Sequence, residues 1–379
     1  MIQSKLPDVG TTIFAVMSKM AAEHQAINLS QGFPDFPISE QLIDLVHQAM
    51  QDGINQYAPM PGLPRLRQAI AAKLQATYGI DPDPDTEITV TAGGTQALYA
   101  TITAITNPGD EVIIFDPAYD SYDPVVRLSG GRPIHLQLKP PTFGIDWDEV
   151  EAHITSRTRA LIINTPHNPS GAVLGETDIQ RLSQIVNQHN LLVISDEVYE
   201  HIIFDGLEHH SVLKYPELRA RSVAIYSFGK TFHATGWKTG YMVAPPALTT
   251  ELRKVHQFNV FCANAPIQEG IARYLEDGDH YSYLNDFYQQ KRDTFEQLMA
   301  ATKFTAVPCH GTYFQLYSYE NISDMPDEEM AAWLTKEHKV ATIPASVFYE
   351  DGSQIKYLRF CFAKSQETME QAVERLCKI

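Results

Sequence analysis

From about residue 65 to 245 the chain alternates short β-rich apolar runs with amphipathic stretches of helical period, and this alternation constrains the fold more than any other feature. Strands buried on both faces read as continuous apolar runs, and crossover helices between them force neighbouring strands to lie parallel. The runs are Ile88 to Thr91, Glu111 to Phe115, Ala160 to Asn164, Leu191 to Ser195, Val223 to Ser227 and Tyr241 to Ala244, with helical segments such as Thr95 to Ile105 and Asp178 to Gln188 between several of them. The pattern predicts an α/β protein with a largely parallel sheet covered by helices, whose ligands bind beyond the carboxyl ends of the strands. After about residue 275 the texture changes. A long polar helical stretch from Tyr281 to Met299, the run Gly311 to Leu316, a helix around Glu328 to Glu337 and a strand from Tyr357 to Phe362 predict a smaller α+β lobe. The first forty-odd residues, with the Gly32 turn, Pro34 and Pro37, are too short to fold alone and are expected to pack on that lobe or across a subunit boundary. The division expected is an N-terminal arm and part of the small domain at 1–44, a large domain at 45–277 and a small domain at 278–379.

At 379 residues the chain is long enough for two lobes that share a crevice. No stretch approaches the ~18 consecutive apolar residues of a membrane span, so no membrane association is expected. The formal charge of −17 and the lack of a Lys/Arg run argue against a nucleic-acid surface, which rests on clustered cations. Met1 to Asp8 has no basic segment followed by an apolar one, and a cytoplasmic location follows by default. The four cysteines, Cys262, Cys309, Cys361 and Cys377, form no Cys-x-x-Cys pair and are expected to be reduced thiols. The densest histidine group, Glu208-His209-His210, lacks the i, i+4 spacing of a zinc motif and reads as a surface loop, so no metal is predicted.

Chemically telling residues gather at the strand ends. Lys230 lies in Ser227-Phe228-Gly229-Lys230-Thr231, directly after the run Ser222 to Tyr226. A lysine held there is desolvated and meets a second cation, Lys238; both disfavour its charged form and leave an amine able to attack a carbonyl. Ile88 to Ala92 followed by Gly93-Gly94-Thr95 reads as strand, tight turn and helix start, whose free N–H groups and helix dipole suit a phosphate. A Gly-Gly turn also simply relieves backbone strain. Asp196, at the end of Leu191 to Ser195, either caps the next helix or meets a donor such as a pyridinium N–H. Asn164-Thr165-Pro166-His167-Asn168-Pro169 offers two amide donors between prolines, or a plain turn. Tyr119, after Asp116-Pro117-Ala118, can stack on a flat ring or fill core. Arg359 is a lone charge in the apolar strand Tyr357 to Phe362 and calls for a carboxylate to fork onto, from the protein or from a ligand. Phosphate cradle, stacking aromatic, ring-nitrogen partner, amine nucleophile and carboxylate clamp are all used by one ligand, pyridoxal phosphate carrying an amino acid.

The same residues resemble the fold-type I pyridoxal-phosphate enzymes, and within them the class I/II aminotransferases of the methionine, kynurenine and glutamine transaminase branch. The resemblance runs almost end to end, from Ile27 to Phe36 through Asn55 to Pro59, Asn168 to Gly171, Ser195 to Tyr199 and Ser227 to Lys230, to Arg359 to Lys364. It implies a mainly parallel seven-stranded sheet in the large domain and a smaller α+β domain. It also implies that Lys230 carries pyridoxal phosphate as a Schiff base and that Asp196 keeps the pyridine nitrogen protonated. Tyr199 and Asn168 are then expected on the ring hydroxyl and Tyr119 on the ring face. Gly93, Gly94, Thr95, Ser227 and Lys238 would hold the phosphate, with Tyr57 reaching in from the second subunit of a homodimer with shared active sites. Arg359, assisted by Asn168 and the Gly32 backbone, would bind the substrate α-carboxylate. In two places the sequence departs from the broader class: Lys238 stands where many aspartate-type relatives have arginine, and His233 stands where a small residue is usual.

The activity implied is ping-pong transamination between an amino acid and a 2-oxo acid, with Lys230 as the base that takes the Cα proton. Phe14, Tyr57 and Val260-Phe261 offer aromatic and aliphatic walls, and no second arginine is evident for an acidic side chain. Large neutral donors are therefore expected, methionine first, then aromatic residues, glutamine or kynurenine. Ser227-x-x-Lys230 with Lys238-Thr239-Gly240 also resembles the motifs of penicillin-recognising hydrolases, but there the second motif lies far downstream on a separate strand. A regulator built on the same scaffold needs a fused DNA-binding module, and these motifs begin by residue 27. The alternative that shares all the motifs is a cysteine-S-conjugate β-lyase.

Overall fold

A computed structural model describes residues 2–353 and 355–379. Its centre is a seven-stranded sheet of β1 (Ile88–Thr91), β2 (Glu111–Asp116), β3 (Arg132–Gln137), β4 (Thr158–Asn164), β5 (Leu192–Asp196), β6 (Ser222–Ser227) and β7 (Gly240–Val243), in the order β1-β7-β6-β5-β4-β2-β3. All neighbours are parallel except those of β7, which runs antiparallel to both β1 and β6. The period of two in a strand divides the sheet's side chains between two cores. Ile113, Phe115, Leu161 and Ile163 enter one hydrophobic cluster, while Val112, Ile114, Ala160 and Ile162 enter another. Burial on both faces is why these strands read as unbroken apolar runs.

The apolar runs located six of the seven strands to within two residues at each end. The seventh, β3, has the sequence Arg-Pro-Ile-His-Leu-Gln and pairs with β2 at the sheet edge, where both of its ends are exposed. An edge strand needs no apolar face toward solvent, so periodicity gives no signal there. Its attachment is electrostatic: His135 Nδ1 lies 2.9 Å from Asp116 Oδ1 and its Nε2 lies 3.3 Å from Asp123 Oδ2.

The smaller sheet is antiparallel, in the order Ile343–Pro344, Tyr357–Cys361, Phe314–Ser318, Thr305–Ala306. With the helices Leu284–Met299, Asp327–Glu337 and Gln366–Leu376 it encloses a third hydrophobic cluster. Of the two placements expected for the N-terminal arm, the first is seen within the chain. Ile27–Asn28 pairs in parallel with Val340–Ala341, and the helix Ile13–Glu23 contributes Met17 to the same cluster. Lys364 Nζ donates to the Phe33 carbonyl at 2.8 Å, and Asp35 accepts from Ser365 N at 2.6 Å, which staples the arm to the start of the last helix.

One expectation is overturned. His209 is no surface residue: it is buried, with Nε2 3.0 Å from Glu197 Oε2. Glu197, also buried, accepts from Ser195 Oγ at 2.8 Å, Val212 N at 3.0 Å and Tyr226 OH at 2.9 Å, so this loop is drawn in to satisfy a carboxylate beside Asp196. All four cysteines are free thiols, and no helix among the described residues is long and apolar enough to cross a membrane.

The β3 attachment is expected to be pH-sensitive. Burial works against a charge on His135, but the hydrogen bonds to Asp116 and Asp123 overcome it and raise its pKa from 6.5 to about 9. A raised folded-state pKa means a stabilisation fully present below pH 6.5 and lost as pH climbs through about 9. With solvent screening its size is on the order of 1–2 kcal/mol. Urea unfolding across this range should show the decline in the native protein and a flatter profile in His135→Gln.

Candidate active site

The carboxyl ends of β4, β5 and β6 open into a cleft of about 350 Å³, closed by the N-terminal arm and the smaller sheet. Asp196 ends the central strand and is 4% exposed. Burial pushes its carboxyl up to about 6, against the hydrogen bonds from Tyr122 and Val198 and the attraction of Lys230. Tyr122 OH donates to Oδ2 at 2.7 Å, whereas the Val198 N–H reaches Oδ1 only at 3.4 Å, so the capping role is the weaker of the two. Asn164, at the end of β4, donates to the Asp196 carbonyl at 2.9 Å and accepts from the Asn168 N–H at 2.8 Å. One amide thus fixes both the end of β5 and the loop that carries Asn168.

Lys230 leaves β6 on the single helical turn Phe228–Thr231. Its amine donates to Tyr313 OH at 2.7 Å and to the Gly32 carbonyl at 3.4 Å, over the faces of Tyr199 and Tyr313. Desolvation lowers its pKa to about 8; Arg359 and Lys238 push the same way, while Cys361 and Asp196 oppose. The second cation expected from the sequence is therefore one of two. Tyr199 is buried edge-on to Tyr313 at 5.2 Å, and burial drives its phenol well above the usual tyrosine range.

Gly93 turns the chain at φ +85 from β1 into the helix Gly94–Ile105, whose first-turn N–H groups face the cleft without intrahelical acceptors. Lys238 sits opposite in the left-handed region at φ 52. A Cβ on Gly240 would lie 2.5 Å from the Tyr226 carbonyl and 3.2 Å from Gly93 C, so glycine there lets β7 bring Lys238 against the turn. Ser227 and Thr95 complete this end, and Thr95 Oγ1 pairs with Tyr119 OH at 3.2 Å.

At the opposite end Arg359, 1% exposed, donates from Nη1 to Asn168 Oδ1 at 2.9 Å and from Nη2 to the Ser30 carbonyl at 3.1 Å. Its guanidinium lies 3.8 Å from the centre of the Phe314 ring, with Phe14 and Phe348 at 5.2 Å and 5.3 Å. Its Nε is buried with no acceptor among the described residues, and burial lowers its pKa to about 10. Among the described residues no carboxylate forms an ion pair with it, and Asp120 acts on it only from beyond ion-pair distance, so the guanidinium is able to bind a carboxylate from a ligand.

Thirteen of the fifteen residues singled out in the sequence line this cleft; Tyr57 and Phe261 do not. Those two pack edge-on at 5.5 Å in a separate surface depression, and Tyr57 is 84% exposed. Phe261 is thus no wall of its own chain's cleft. Tyr122, Tyr313, Phe314 and Phe348 also touch Asp196, Lys230 or Arg359, and sequence reasoning did not single them out: each is an aromatic with nothing local to separate it from a core residue. His233 packs its ring edge-on to Phe36 at 4.8 Å, with its pKa lowered to about 4 by burial and then by Lys291. It joins the Lys230 loop to the N-terminal arm.

Residues 24–376 match the model of the family described as aminotransferase class I and II. The chain belongs to the class I and II aminotransferases. It is 52% identical to the methionine aminotransferase of Escherichia coli over 99% of this chain and 97% of that one. A solved structure of an E. coli methionine aminotransferase superposes with a TM-score of 0.97, at 50% identity and 100% of both chains. Human kynurenine–oxoglutarate transaminase 1 is 32% identical over 95% of this chain and 94% of its own. Enzymes of this family depend on pyridoxal phosphate.

In this aminotransferase Asn164→Ala should cost about 1–2 kcal/mol, because it leaves the Asn168 N–H unpaired and removes one of the two donors to the Asp196 carbonyl, the other being the Thr165 N–H at 3.1 Å. It should also lower kcat/KM through the loosened Asn168 loop. Urea unfolding and steady-state kinetics read the two effects, and a fully native profile in both would show that Asn164 positions nothing.

Proposed function

We propose that this aminotransferase transfers the amino group of a large neutral L-amino acid, methionine first, to a 2-oxo acid through pyridoxal phosphate held in the cleft. One observation carries the choice of donor. The cations that line the cleft among the described residues are Lys230, Lys238 and Arg359, and only Arg359 lies at the aromatic end. One receptor suits one carboxylate, and the walls around it offer dispersion to an uncharged side chain.

The residues present fit the cofactor. The helix N-terminus at Gly94 and Thr95, with Ser227 and Lys238 beside it, forms a cradle for a phosphate, and Asp196 is a buried carboxylate in need of a cationic or donor partner. Gly93 shapes that cradle, Tyr119 would stack on the ring, and Tyr199 and Asn168 would hold its hydroxyl. Pyridoxal phosphate, when bound, supplies a carbonyl for the donor's amine and a sink for the charge left at Cα. Asp196 would keep a proton on the ring nitrogen, since a carboxylate raised only to about 6 is still largely ionised at neutral pH. Arg359, with Asn168 and the Gly32 backbone, binds the donor α-carboxylate. Lys230 Nζ takes the proton from Cα, and a pKa near 8 leaves a usable fraction of neutral amine for this. The same amine would then give that proton up again, so one side chain serves first as base and then as acid, and the 2-oxo acid would leave before the acceptor enters.

Exposed Tyr57, Phe258 and Phe261 support a homodimer in which Tyr57 of the partner subunit reaches the phosphate and Phe261 reaches the donor side chain. A test of this sharing is to refold Lys230→Ala and Tyr57→Ala chains together. Mixed dimers should regain activity that neither parent has, because one of the two sites then holds both native residues. Substrate choice is tested with a panel of donors at a fixed 2-oxo acid. L-Methionine should exceed L-aspartate by about 10²-fold or more in kcat/KM. A preference for aspartate, or release of pyruvate and ammonia from a cysteine S-conjugate without transamination of any neutral amino acid, would overturn the reading in favour of a dicarboxylate enzyme or a β-lyase.

A further inference from the structure

The Lys230 amine donates at 2.7 Å to the phenol oxygen of Tyr313, a residue that none of the roles above requires. The phenol in turn donates to the Gly32 carbonyl at 2.6 Å. A hydroxyl has one proton and two lone pairs, so with its proton directed to Gly32 the oxygen can only accept from the amine. The ring that carries it is immobile by packing: Tyr313 is 0% exposed, edge-on to Tyr199 at 5.2 Å and against Tyr288 at 5.8 Å and Phe314 at 4.8 Å. A lysine side chain is flexible, with about 2 kcal/mol of rotamer entropy, whereas proton transfer needs heavy atoms aligned within hydrogen-bond reach. A fixed acceptor at the amine meets that requirement.

We propose that Tyr313 is a positioning residue for the aminotransferase reaction: its phenol oxygen, aimed by the Gly32 carbonyl, holds the free Lys230 amine on one line of approach to the donor Cα. This rests on the assignment of Lys230 as the group that moves the Cα proton. It also makes the N-terminal arm part of the proton-transfer machinery, because the carbonyl that orients Tyr313 belongs to the Gly32 turn. A Cβ on Gly32 would lie 2.5 Å from Phe314 Cζ, so the turn is fitted against the residue that follows Tyr313.

Tyr313→Phe keeps the buried ring and removes only the acceptor. The titratable groups acting on the amine, Cys361, Arg359, Lys238 and Asp196, stay in place. Loss of an acceptor disfavours the ammonium form, so the Lys230 titration should move down from about 8 by about one unit. The readout is carbon-13 NMR of ε-labelled lysine in enzyme loaded with pyridoxamine phosphate, where the Lys230 amine is free; the signal is assigned by its loss in Lys230→Ala. In steady state kcat for L-methionine should fall about tenfold with KM little changed. A titration unmoved from the native midpoint overturns the proposal, whatever happens to kcat, because a merely structural role would not touch it. If Tyr313→Phe does not fold, 3-fluorotyrosine at position 313, a weaker acceptor of nearly the same shape, must lower the same titration, and no shift overturns the proposal. Native enzyme that fails to transaminate any neutral amino acid would instead defeat the functional reading, and the titration would still report on the contact.

Discussion

The carboxylate of Asp196, buried at the end of the central strand, sets the terms for everything around it. Burial alone favours its neutral form, and the surrounding donors answer that cost: Tyr122 OH at 2.7 Å, the Val198 N–H and the charge of Lys230. Lys230 feels the reverse pressure, since burial and two neighbouring cations disfavour its proton. One group is raised to about 6 and the other lowered to about 8, so near neutral pH the carboxylate is mostly charged while some of the amine is neutral. A site that needs a fixed anion and a free base together obtains both from the same desolvation.

Three parts of the chain have to meet for this to work. The large sheet and the segments that leave it supply Asp196, Lys230 and Asn168, the smaller sheet and the residue before its third strand supply Arg359, Phe314 and Tyr313, and the N-terminal arm supplies Phe14, Ser30 and Gly32. The contacts between them are short and mutual. Arg359 reaches Asn168 on one side and the Ser30 carbonyl on the other, and the Cys361 N–H bonds to the Leu29 carbonyl at 2.9 Å. The arm therefore belongs to the site as much as to the lobe on which it packs, and a shift of the Gly32 turn would disturb the contacts of Arg359 and of Lys230 together.

Sequence reading succeeded where burial and local chemistry coincide. Strands covered on both faces announce themselves as apolar runs, and a charged residue ending such a run, as at Asp196, or alone within one, as at Arg359, stands out. It failed where the determining partner is distant in the chain. The edge strand β3 depends on carboxylates at Asp116 and Asp123, and His209 is drawn inward by Glu197. Tyr313 looks like any core aromatic until the fold sets its hydroxyl against Lys230, 83 residues away in the chain. Phe261 shows the limit from the other side: its apolar character was legible, but its distance from its own chain's cleft was not.

The most direct measurement is a single half-reaction. Purified enzyme loaded with pyridoxal phosphate is mixed with L-methionine in the absence of any 2-oxo acid, while the absorbance spectrum and the released products are followed. The expected result is conversion of the cofactor to pyridoxamine phosphate with one equivalent of 2-oxo acid formed per subunit. Persistence of the starting spectrum with methionine and with every other neutral amino acid would contradict the assignment of Lys230, Asp196 and Arg359 to transamination.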